Sequence, residues 1–152
     1  MTTLKAAIAD ADATDRHYIM LVDTNILAYL LIVGDRTQAA QTLFAHDAEW
    51  KSEAFVLVEF SNILATYQRL GELSHAQAEY LLNEAEIRLQ GLVSLPHITA
   101  LRTAQRFRVS AYDARFLATA ENLGARLVTE DTKLRTAAPK LTQSLAEALA
   151  AA

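Results

Sequence analysis

Four acidic residues stand where a folded chain could gather them. Asp23 directly follows the apolar run Tyr18-Ile19-Met20-Leu21-Val22. Asp131 closes a second such run, Arg126-Leu127-Val128-Thr129-Glu130-Asp131. Glu59 interrupts Phe55-Val56-Leu57-Val58-Glu59-Phe60, and Asp113 lies three residues after Ser110. Four carboxylates brought together repel one another and raise their own pKa values. A hard cation resolves that conflict: Mg²⁺ or Mn²⁺ takes oxygen ligands and keeps several waters, one of which can serve as nucleophile. Other chemistries lack their residues. The chain has no cysteine, which excludes disulfides, thiolate zinc sites and cysteine nucleophiles. His17, His46, His75 and His97 are scattered without zinc-site spacing and are expected at surfaces or helix ends.

Each acid also has an ordinary structural use. Asp23 reads as a strand-end residue, Asp113 as part of a capping box with Ser110, and Asp131 as a turn or N-cap residue. Glu59 reads as the partner of a buried arginine. It sits in a helix that is apolar almost all round and is therefore expected to be buried, where a lone carboxylate costs several kcal/mol. Asn62 and Thr66 follow it at helical spacing and form a narrow polar seam. Four separate structural explanations must hold at once to remove the case for a shared site.

The elements that must position these residues follow from periodicity. Strands are expected at Tyr18–Val22, near Trp50, at Leu92–Leu95 before Pro96, at Arg126–Thr129, and weakly near Leu141. Helices are expected over Asn25–Val33, stopped by Gly34, then Arg36–Ala45, and Ala54–Leu70, closed by Gly71. Further helices run from the Ser74 cap to Gly91, over Ile98–Phe107, over Ala111–Leu123 between Ser110 and Gly124, and from Ser144 onward. Short apolar strands alternating with amphipathic helices give an α/β fold with a central, mainly parallel sheet flanked by helices. In such sheets ligands bind beyond the carboxyl ends of the strands, where Asp23 and Asp131 would lie.

A chain of 152 residues with 52% hydrophobic content suits one domain with a substantial core. Residues 1–16, rich in Ala and Asp, read as an N-terminal extension, and residues 17–152 as the single domain. The longest apolar run, Ile26 to Val33, is far shorter than the roughly 20 residues of a membrane span. No signal-peptide pattern opens the chain, so a cytoplasmic location is expected. The net charge of −4 conceals an asymmetry. Residues 102–140 carry eight basic and four acidic residues, a local +4, while the remainder stands at −8. Arg106, Arg108 and Arg115 in that segment are candidates for contact with a polyanion.

Val22-Asp23-Thr24-Asn25-Ile26-Leu27, Glu59-Phe60-Ser61-Asn62, Ser110-Ala111-Tyr112-Asp113-Ala114 and Leu127-Val128-Thr129-Glu130-Asp131 together resemble the PIN-domain signature, in order and from about Tyr18 to Lys140. The set is similar to the toxins of VapBC type II toxin–antitoxin systems. The resemblance implies a PIN-like fold and a Mg²⁺- or Mn²⁺-dependent endoribonuclease that cleaves RNA phosphodiesters with a metal-activated water. It implies Asp23, Glu59, Asp113 and Asp131 as catalytic and metal-binding residues. Asn25 and Thr129 would be supporting polar residues, and Asn62 a partner of Glu59. It further implies a homodimer inhibited by a small VapB-type antitoxin. A stand-alone PIN RNA-processing nuclease and a catalytically inactive PIN binding module are the alternatives. A haloacid-dehalogenase-like phosphatase would need a second Asp two residues after Asp23, where Asn25 stands.

Overall fold

The computed structural model describes residues 19–152. The proposed extension over residues 1–16 and the start of the first expected strand at Tyr18 lie outside them. Strand β1 is Met20–Val22, β2 is Trp50–Lys51, β3 is Leu127–Val128 and β4 is Thr142–Gln143. They form one sheet in the order β2-β1-β3-β4, with every pairing parallel. Leu21 stands opposite both Lys51 and Leu127, so β1 is central. From β1 the chain winds outward to β2, then returns across to β3. The crevice between β1 and β3 is therefore the switch point at which open parallel sheets bind ligands.

Eight helices surround the sheet among the described residues: α1 (Thr24–Leu31), α2 (Thr37–His46), α3 (Phe55–Arg69), α4 (His75–Arg88), α5 (His97–Phe107), α6 (Ala111–Leu123), α7 (Thr132–Ala137) and α8 (Leu145–Ala151). Leu21, Val22, Leu127 and Val128 are fully buried and form the core with Ile26, Leu43, Trp50, Phe60 and Leu117. Strands buried on both faces read as unbroken apolar runs, which is why these were visible in the sequence. Helix α6 is the most enclosed, burying Ala114 and the whole run Phe116–Ala120. Gly124 ends it at φ 62°, a left-handed conformation that costs a residue without Cβ little.

The structure corrects several expectations. Leu92–Leu95 forms no strand; Val93 makes a single parallel bridge to Glu53, with backbone bonds to Ser52 and Ala54. Pro96, which has no N–H to give, follows too closely for the pairing to lengthen. Helix α1 ends at Leu31, before Gly34. Gly34 is not among the left-handed glycines; its N–H instead meets the Thr37 hydroxyl at 2.9 Å at the start of α2. Helix α3 is not buried all round. Only the stripe Val56, Phe60 and Leu64 is enclosed, while Val58 is 59% exposed. Helix α7 has no counterpart in the sequence reading, because six residues are too few for a periodic signal.

One ion pair fixes how the helices meet the sheet edge. Glu53, 1% exposed, accepts from the Phe55 N–H at 2.6 Å and the Leu95 N–H at 3.4 Å. Arg115 on α6 reaches the same carboxylate at 3.3 Å, donates to the Leu95 carbonyl, and donates to His97 Nδ1. The start of α3, the 92–97 segment and α6 are thereby held at one point. Removing one partner leaves the other buried and uncompensated. Arg115→Ala should lower the unfolding free energy by about 3–5 kcal/mol, read by urea titration. A loss below about 1 kcal/mol would show that the pair holds nothing together.

Candidate active site

Asp23, Glu59, Asp113 and Asp131 line one cleft of about 350 Å³, together with Thr24, Asn25, Asn62, Phe55, Val58 and Tyr112. Each carboxylate arrives on a different element. Asp23 leaves β1 and caps α1, accepting from the Ile26 N–H at 3.2 Å. Its second oxygen accepts a hydrogen bond from the Thr129 hydroxyl at the end of β3. Thr129 in turn accepts from the Asp131 N–H at 3.1 Å. Asp131 caps α7 through one oxygen, which takes the N–H groups of Lys133 (2.9 Å) and Leu134 (3.4 Å). Capping and convergence on the cleft are compatible, because an N-cap uses one carboxylate oxygen and leaves the other available.

Asp113 lies in the first turn of α6, and its N–H meets the Ser110 hydroxyl at 3.0 Å. The reciprocal half of the capping box is not formed, so its carboxylate is not used up by the cap. Glu59 is half-buried and faces the cleft. Its Oε1 accepts from the Thr24 hydroxyl at 2.8 Å. Thr24, which the sequence reading passed over, thus takes the role assigned to Asn62. Asn62 is exposed and contributes its backbone carbonyl to Thr66. Asn25 is exposed on the cleft wall.

The electrostatics follow from this crowding. Burial pushes the Asp23 carboxyl from 3.8 up to about 6, against the opposing pull of Thr129 and the Ile26 N–H, with the charges of Asp131 and Glu59 adding to the rise. Burial also raises Glu59, opposed by Thr24 and reinforced by Asp113. Burial raises Asp113, and the charge of Asp131 adds to it while Ser110 and Lys133 oppose. The four acids therefore sense one another across the cleft. Yet among the described residues no three His, Cys, Asp or Glu side chains stand within common reach of one ion. This donor set suits a hydrated hard cation held directly by one or two carboxylates, with water filling the remaining positions. That is the usual mode for Mg²⁺, which dehydrates reluctantly. It does not suit an all-protein cage.

The basic candidates are placed differently from the acids. Arg115 faces inward to Glu53, with its side chain 15% exposed, so the expected contact with a polyanion gives way to a structural role. Arg106 is exposed, pairs with Glu121 and lies over the Phe107 ring. Arg108 is exposed and holds a left-handed conformation, φ 57°, at the end of α5. Glu53, the buried structural partner of Arg115, was hidden because a charged residue beside a short strand carries no distinguishing pattern. Its burial emerges only in three dimensions.

No curated protein matches the chain in sequence. The crystal structure of PAE2754 from Pyrobaculum aerophilum is similar in fold, with a TM-score of 0.73 and 24% sequence identity, over 88% of this chain and 94% of that one. At that identity the likeness speaks for the fold alone. The family described as PIN domain matches residues 20–139, a span that takes in β1, β3 and all four cleft carboxylates. PIN domains are generally divalent-metal-dependent nucleases, and this chain belongs to the PIN domain family.

Proposed function

We propose that this protein is a Mg²⁺- or Mn²⁺-dependent endoribonuclease and that Asp23, Glu59, Asp113 and Asp131 are its catalytic residues, which would hold the metal directly or through its waters. The observation that carries the reading is the convergence of four carboxylates from four elements on the switch-point cleft. A fold does not assemble like charges there without a use for them. A bound cation supplies charge neutralisation for the phosphodiester and lowers the pKa of a coordinated water.

The chain's own residues prepare that site. Thr129 and the Ile26 N–H fix both oxygens of Asp23. Thr24 fixes Glu59, and the cap on α7 fixes Asp131. Thr129 and Asn25 are the supporting polar groups of this reading. Arg106 and Arg108 are the remaining candidates for phosphate contact, with Lys133 beside Asp113. The resemblance to VapC-type toxins extends the reading to a homodimer, a cytoplasmic location and inhibition by a small antitoxin. In its support, a groove of about 770 Å³ between α1 and α3 adjoins the cleft through Asn25 and Asn62 and presents Ile32, Ile63, Tyr67 and Leu70. No helix among the described residues is long and apolar enough to cross a membrane.

RNA cleavage should require Mg²⁺ or Mn²⁺ and stop in excess EDTA; full activity in EDTA would end the reading. Asp131→Asn is the most informative substitution. Asn caps helices as well as Asp does, so stability should change little while cleavage falls at least about a hundredfold. Unchanged cleavage would make Asp131 a cap and nothing more.

Without cation, ionised Asp23 is a liability. Its carboxyl is raised to about 6 in the fold, so its contribution to stability is full below its ordinary value of 3.8 and is lost as pH rises through 6. In EDTA the unfolding free energy of the wild type should fall across this window, relative to Asp23→Asn, by on the order of 3 kcal/mol. Urea melts of both proteins at a series of pH values read this directly. A pH-independent difference would contradict the burial of that charge.

A further inference from the structure

The rim of the cleft carries a feature that the metal site does not use. Tyr112 and Phe55 stack with centroids 5.3 Å apart and planes within 6° of parallel. Tyr112 immediately precedes Asp113, and Phe55 lies one helical turn before Glu59, so the pair bridges the two helices that carry those carboxylates. Both rings line the cleft. Phe55 is half-buried, but Tyr112 remains 62% exposed. A ring covered on one face by Phe55 and still this open presents its other face to solvent. The stack also holds the ring's orientation, so little side-chain freedom remains to be lost on binding.

The charge around this ring indicates what it could bind. The cleft walls bear four carboxylates, of the same sign as an RNA phosphate. Attraction supplied directly by those walls must come from the neutral part of a nucleotide, its base. A flat, oriented aromatic face is the surface on which an unpaired base stacks. A base inside a duplex already has both faces covered, so the same surface favours single strands.

We propose that Tyr112, backed by Phe55, is a stacking platform for an unpaired RNA base next to the acidic cleft. The substrate class rests on the ribonuclease reading; the platform itself rests on the stack and its exposure. The probe is a single-stranded oligoribonucleotide carrying 2-aminopurine, whose fluorescence falls when it stacks, titrated against protein in an Asp131→Asn background. Tyr112→Ala should remove the quenching and weaken binding by about five- to hundredfold. Tyr112→Phe should retain both. Tyr112→Leu keeps an apolar cover over Phe55 and should keep the melting temperature while losing the quenching, which separates stacking from packing. Affinity for a duplex of the same sequence should be weak and insensitive to all three changes. Equal quenching and affinity in Tyr112→Ala, or full binding by Tyr112→Leu, would overturn the platform. A wild type that cuts no RNA in Mg²⁺ or Mn²⁺, yet is still quenched through Tyr112, would sink the nuclease reading and leave the platform standing.

Discussion

The hydrogen bond from Thr129 to Asp23 joins the ends of the two central strands at the point where the chain reverses its winding. Asp23 is buried, so its carboxylate needs partners, and the two it has come from different elements. Thr129 also receives the Asp131 N–H, and that residue begins α7. A displacement of β3 against β1 would strip Asp23 of a partner and shift Asp131 with it. The geometry of two acids thus depends on a single hydroxyl. Glu59 is tied in by the same logic, since Thr24 directly follows Asp23 and holds Glu59 from α1.

This economy explains why structural and functional uses of the acids need not compete. Asp23 and Asp131 both cap helices, yet both line the cleft. A helix N-terminus is a source of N–H groups and of positive partial charge, and it tolerates a carboxylate that would otherwise be repelled by its neighbours. Capping lowers the cost of assembling like charges. Burial acts in the opposite direction and dominates at Asp23, so the carboxylate there is ionised only against resistance.

The placement of Asp23 and Asp131 was legible because parallel strands buried on both faces announce themselves as apolar runs, and the residues after each run fall on one edge. Helix ends at Gly71 and Gly124 were legible because those positions demand left-handed backbone. What escaped depends on contacts between distant segments. The 92–95 run has the composition of a strand but only one bridge partner. Glu59 looked buried because its neighbours are apolar, yet one face of α3 lies open over the cleft. Glu53 and Arg115 are 62 residues apart, and neither carries a local sign of the other.

The basic segment shows the same distinction from the side of charge. Counting residues gave a surplus of positive charge over 102–140, but charge acts from where it points. Arg115 is drawn inward to Glu53 and Arg106 pairs with Glu121 of the same segment, while Glu130 is taken up by Arg36 from outside it. The loss of Arg115 is matched by that of Glu130, so pairing redistributes the surplus without shrinking it. An acidic cleft does not draw in a polyanion by the field of its own walls. Recognition then depends on what the chain offers besides charge, and beside this cleft it offers an exposed aromatic ring, held flat by the one beneath it.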